Sequence, residues 1–115
     1  PMPVSALNRI DHIALPTNDI AASVAWYEDR FGCRVAYQDA TWALLEFENV
    51  RLALVLPEQH PAHVAFVSQH AAAFGRLKTH RDGTRSTYIT DPHGNALEVM
   101  DERSLHAANT TPQHT

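Results

Sequence analysis

Three residues far apart in the chain, His12, His63 and Glu98, are of the types that ligate divalent metals, and each falls in the middle of a stretch with β-strand alternation. Two imidazoles and a carboxylate bind one face of an ion and leave its other positions open. Open positions accept substrate oxygens and polarise them, or bind and activate oxygen if the metal is iron. Taken singly, a strand histidine is more often a hydrogen-bonded interior group than a ligand. The case for a metal rests on the three together, because a carboxylate is rarely buried without a charge partner, a metal or a set of donors.

The elements that must position them can be read from periodicity. Arg9 to Leu15 is a strand with Ile10, His12 and Ala14 on one face and Asp11, Ile13 and Leu15 on the other. Pro16 ends it, and Thr17 or Asn18 can cap a helix from Asp19 to Phe31, with Ile20, Val24, Tyr27 and Phe31 on one stripe and Gly32 as its stop. Strands are expected at Arg34 to Gln38, Thr41 to Phe47 and Val50 to Leu56, the last with Leu52, Leu54 and Leu56 ready to meet the helix. After a joint at Pro57 to His60 the order starts again. Pro61 to Val67 is a strand with His63 central, Ser68 can cap a short helix from Gln69 to Leu77, and a weak strand falls at Lys78 to Arg81. A hairpin from Tyr88 to Met100 turns at Asp91-Pro92-His93-Gly94-Asn95 and places Ala96, Glu98 and Met100 on one face.

Strand, helix and strands twice over is a structural repeat, with a histidine in the first strand of each copy. The expected fold class is therefore α+β. One domain spans 9–101, with module one at 9–56, a shortened module two at 61–101, and flexible termini at 1–8 and 102–115.

Composition narrows the function classes. At 115 residues and 44% hydrophobic, the chain suits a single domain with a real core. A net charge of −4, a single lysine (Lys78) and no basic run argue against nucleic acid as a partner. No apolar run approaches the roughly 20 residues of a membrane span, and no basic-then-apolar leader pattern opens the chain. The lone Cys33 cannot form an intramolecular disulfide and reads as a small core residue beside Gly32. A cytoplasmic location is expected.

Four stretches carry a family resemblance: Asp11-His12-Ile13-Ala14-Leu15, Ser23-Val24-Ala25-Trp26-Tyr27 with Phe31-Gly32, His63-Val64-Ala65-Phe66, and Asp91-Pro92-His93-Gly94-Asn95-Ala96-Leu97-Glu98. With them the chain resembles, from about Arg9 to Asp101, the vicinal oxygen chelate superfamily of glyoxalase I, extradiol dioxygenases, fosfomycin-resistance enzymes and bleomycin-resistance proteins. The resemblance implies two βαβββ modules whose curved sheets form a cleft, a divalent metal (Fe, Mn, Zn or Ni) on His12, His63 and Glu98, a small-molecule substrate and commonly a homodimer.

Departures from the family matter for the reaction. The best match to glyoxalase I's fourth ligand is Ala53, which cannot ligate, and Glu46 and Glu58 read as solvated polar residues. The three-ligand set is similar to that of extradiol dioxygenases and fosfomycin-resistance enzymes. From Tyr88 to Glu98 the order of residues resembles the closing signature of the dioxygenases, with His80 upstream at a compatible distance, although His80 alone reads as a solvent-exposed loop residue. The expectation is a metal-dependent enzyme, dioxygenase-like before isomerase or transferase, in which Tyr88 is the nearest proton donor or hydrogen-bond partner to developing charge. The alternative is a metal-free protein of bleomycin-resistance type that sequesters a small molecule. Trp42 is poised between cleft platform and core, Trp26 and Tyr27 belong to helix packing, Arg51 reads as solvent-facing at a strand end or, if inward, as a partner for an anionic substrate group, and His60, His70, His93, His106 and His114 read as solvated.

Overall fold

A computed structural model describes residues 7–105. The elements follow in the order β1 (Arg9–Pro16), α1 (Ile20–Arg30), β2 (Arg34–Gln38), β3 (Trp42–Glu46), β4 (Arg51–Val55), β5 (His63–Ser68), a 3-10 turn (Ala71–Ala73), β6 (Lys78–Thr79), β7 (Arg85–Thr90) and β8 (Ala96–Asp101). The strands form one open, curved, mixed eight-stranded sheet in the order β2-β3-β4-β1-β5-β8-β7-β6. The α+β reading therefore holds. Each half runs outward from the middle in the same way: β1 pairs parallel with β4 and β5 parallel with β8, while β1 and β5 join the halves as an antiparallel pair.

Alternation decides what each face of the sheet carries. Ile13 sits opposite Leu52 on the face covered by α1, where Ile20 and Val24 bury themselves against Ala43, Leu45, Leu52 and Leu54. Leu45 and Leu54 are among the fully buried side chains of this core, which makes it the main apolar anchor of the first half. The opposite face carries His12, Ala14 and Ala53, with Val55, Trp42 and Leu44 packed beside them. Trp42 is partly buried there and stacks on Tyr37 with ring centroids 4.6 Å apart.

Several local expectations are corrected. Asp19, not Thr17 or Asn18, caps α1: its Oδ1 accepts from Ala22 N at 3.0 Å, and Thr17 Oγ1 instead accepts from Asp19 N. Trp26 packs on its own helix, edge-on to Tyr27 at 5.0 Å and beneath the Arg30 guanidinium at 4.4 Å, but is exposed rather than part of the core. The helix expected from Gln69 to Leu77 is only the 3-10 turn, because Ala71 alone of its residues is buried and Gly75 approaches β7 so closely that a Cβ there would lie 2.7 Å from Thr87 Oγ1. A helix without an apolar stripe has no tertiary packing to stabilise it.

The expected flexible tail is also corrected in part. Residues 102–105 are helical, Ser104 is buried, and its Oγ donates to Asp101 O at 2.7 Å while accepting from Arg85 N at 2.9 Å. Asn8, expected in a loose start, donates from Nδ2 to Val67 O at 2.8 Å. Residues 1–6 and 106–115 of the expected flexible ends, His106 and His114 among them, lie outside the described residues.

Candidate metal centre

His12, His63 and Glu98 come together where the two halves of the sheet meet. In register, His12 on β1 is opposite Ala65 on β5, and Ala65 is opposite Glu98 on β8, while His63 lies two residues from Ala65 on the same face. One small residue, Ala65, thus separates the first ligand candidate from the third, and its short side chain leaves the space above it to the larger groups. The candidate ligand atoms lie within 4.8 Å of one another. Glu98 Oε1 is 3.4 Å from His12 Nε2 and 3.2 Å from His63 Nε2. The side chains are 15%, 4% and 6% exposed for His12, His63 and Glu98.

Each imidazole is oriented from behind. His12 Nδ1 meets Asp11 Oδ2 at 2.8 Å, and Arg51 Nη2 donates to the same oxygen at 2.6 Å. A β-bulge between Ile10 and His12 makes this possible by releasing Asp11 from the strict alternation that would turn it away from His12. His63 Nδ1 lies 2.9 Å from Pro61 O, and a carbonyl can only accept, so Nδ1 carries the proton and Nε2 faces the cluster. Buried and without a hydrogen-bond partner, that Nε2 nevertheless has a carboxylate oxygen at 3.2 Å. A cation between them would satisfy both groups.

Electrostatics follow from this packing. Burial alone would lower the His12 pKa, but hydrogen bonds to Asp11 and Glu98 and their charges raise it to about 9. Burial would raise Glu98, yet His12 and the Ser86 hydroxyl hold its carboxyl well below the usual range. Asp11 is likewise held down, against burial, by His12 and Arg51. Tyr88 stands on β7 directly opposite Glu98, its ring edge-on to His63 at 5.3 Å. Burial and the charge of Glu98 push its phenol well above the ordinary value.

The family model for the glyoxalase/bleomycin resistance protein/dioxygenase superfamily matches residues 9–76, more than half of the chain. The chain belongs to this superfamily. A biphenyl-2,3-diol 1,2-dioxygenase from Rhodococcus globerulus is 29% identical over 118 residues, covering 80% of this chain. The chain spans 62% of the length of that relative. Among solved structures, a methylmalonyl-CoA epimerase variant from Streptomyces coelicolor, in complex with 2-nitronate-propionyl-CoA, is similar with a TM-score of 0.65 at 20% identity, over 83% of this chain and 94% of that one. A superfamily member from Vibrio splendidus 12B01 gives a TM-score of 0.60 at 16% identity, over 82% of this chain and 98% of that one. These structural likenesses establish a shared fold.

Within this superfamily member, three residues besides Asp11 and Tyr88 support the ligand set. Arg51, expected to face solvent, instead lies opposite His12 in register and ion-pairs with Asp11. His80, expected in an exposed loop, lies with Nε2 2.6 Å from Ser86 Oγ and 3.6 Å from Glu98 Oε2. Ser86 itself, 1% exposed, donates to Glu98 Oε2 at 2.7 Å. Strand parity with Tyr88 was the available signal for Ser86, since residues two apart share a face. Ala53 is buried opposite Ala14, and Glu46 is engaged by Arg34 at 2.7 Å, so neither adds a fourth ligand. Tyr37 and Trp42 lie on the other half of the same face, and His60, His70 and His93 stay exposed.

Proposed function

We propose that the protein is a metal-dependent enzyme acting on a small molecule with two neighbouring oxygens, with dioxygenase-like chemistry ahead of isomerase or transferase chemistry. The reading takes residues 9–101 as one domain, with module one at 9–56 and module two at 61–101. His12, His63 and Glu98 hold one divalent ion, Fe, Mn, Zn or Ni, at the seam between the modules. The observation that carries it is His63 Nε2, buried, unpartnered and 3.2 Å from Glu98 Oε1. When bound, the ion supplies Lewis-acid polarisation of adjacent substrate oxygens, or oxygen activation if it is iron. Protein side chains do the rest. Asp11 and the Pro61 carbonyl keep both Nε2 atoms aimed inward, and Tyr88, held protonated beside Glu98, donates a hydrogen bond to charge developing on substrate oxygen.

Three ligands with no fourth carboxylate beside them among the described residues favour this chemistry over that of glyoxalase I, and the 29% identity with a diol dioxygenase supports the same direction. The same reading places the protein in the cytoplasm as a homodimer. The test is oxygen consumption and ring-cleavage absorbance with simple catechols after anaerobic Fe(II) loading. Activity should appear with the wild type, and Tyr88→Phe should lower kcat by roughly 10²–10⁴-fold with little change in metal content. Iron-loaded protein that turns over no catechol would rule out the dioxygenase reading.

A further inference from the structure

The two oxygens of Glu98 have different surroundings. Oε1 faces the imidazoles, 3.4 Å from His12 Nε2 and 3.2 Å from His63 Nε2. Oε2 points the other way and accepts the Ser86 hydroxyl at 2.7 Å, with His80 Nε2 at 3.6 Å. Ser86 has one hydroxyl proton, and Glu98 receives it. The 2.6 Å contact between Ser86 Oγ and His80 Nε2 is therefore a donation from the imidazole to the hydroxyl. A chain of two hydrogen bonds thus runs from a partly exposed ring, through a hydroxyl that is 1% exposed, to the back of the buried carboxylate.

Resting on the metal-site reading above, we infer that Ser86 is a positioning residue that holds Glu98 to the metal through Oε1 alone, with His80 fixing the Ser86 hydroxyl in turn. A carboxylate is free to bind an ion through one oxygen or both, and the second mode takes up a position that substrate would need. The hydroxyl at Oε2 opposes that switch by charge-assisted hydrogen bonding in a site from which water is largely excluded. His80 keeps the hydroxyl rotor turned toward Glu98, because a donated hydrogen bond at Oγ leaves the hydroxyl proton to point elsewhere. One serine thereby links a partly exposed imidazole to the number of open coordination positions.

Co²⁺ titration of the full chain, read by visible absorption and by calorimetry, tests this in the wild type, Ser86→Ala, His80→Ala and the double variant, each checked for folding by circular dichroism. Ser86→Ala should bind Co²⁺ about tenfold more weakly and with shifted d–d bands, because the freed carboxylate changes its mode of binding. His80→Ala should shift the same bands less. The double variant should be no weaker than Ser86→Ala, since both substitutions cut one chain. Bands in Ser86→Ala identical to wild type overturn the inference even if affinity falls, because a merely structural serine would weaken binding without altering the carboxylate's mode. Should Ser86→Ala fail to fold, unchanged bands in His80→Ala overturn it instead. Wild-type protein that binds no Co²⁺ overturns the metal-site reading, and this inference with it; binding with unaltered variants overturns this inference alone.

Discussion

His12 lies between two carboxylates, with Asp11 behind it at 2.8 Å and Glu98 in front at 3.4 Å. Their pull raises its pKa to about 9, so without metal the ring carries a proton that a metal must displace from Nε2. At about pH 7.5, binding should release close to one proton from His12, and affinity should rise about tenfold per pH unit until about pH 9. Calorimetry in buffers of different ionisation enthalpy measures the release; a buffer-independent enthalpy would contradict it. The same shift has a signed effect on metal-free stability. A folded pKa above the unfolded value stabilises fully below about 6.5, and that contribution is lost as pH rises through about 9. Asp11 matters through His12 rather than as a ligand. Asp11→Asn should weaken metal binding roughly 10–100-fold, measured by competition with a chelator, and an unchanged affinity would remove Asp11 from the site's support.

Gly75 shows how an element boundary is set by packing. A Cβ added there would lie 2.7 Å from Thr87 Oγ1, so Gly75→Ala should cost about 1–3 kcal/mol and lower Tm, whereas Gly32→Ala, with nothing within 4 Å, should not. Equal Tm values for the two variants would show that the contact is relieved without cost. This close approach also accounts for a 3-10 turn where a helix is expected: the alanines of Ala71–Ala73 favour helix, but Gly75 lies close to β7. The strands were legible because alternating residues report their faces, and Leu52 and Leu54 turned toward α1 as their spacing implied. That His12, His63 and Glu98 could converge was legible for the same reason. Asp11 was not, because a bulge cancels alternation at one residue, and bulges leave no mark in periodicity. Ser86 was hidden by a polar stretch in which burial, rather than hydrophobicity, distinguishes it, whereas His80 was marked only by its distance from Tyr88 and read by itself as a loop residue.

At the scale of the molecule, the sheet is a repeated pattern joined along β1 and β5, and the candidate ligands come from β1, β5 and β8. Both halves are therefore needed to assemble the site. The strands that carry the two histidines are hydrogen-bonded to each other, and Glu98 stands one strand further on, in parallel register with β5. An ion there would tie three strands across the seam, and binding to the folded chain alone would raise its stability by mass action, about 2.7 kcal/mol at a hundredfold excess over Kd. The most direct measurement is metal content by elemental analysis, on protein purified without chelator or affinity-tag histidines, beside a His12→Ala, His63→Ala double variant, with divalent metals titrated back under anaerobic conditions. The expected result is near-stoichiometric metal in the wild type, lost in the folded double variant and not restored by titration. A wild type that carries no metal and binds none on titration would contradict the metal centre and leave a small-molecule-binding protein without one.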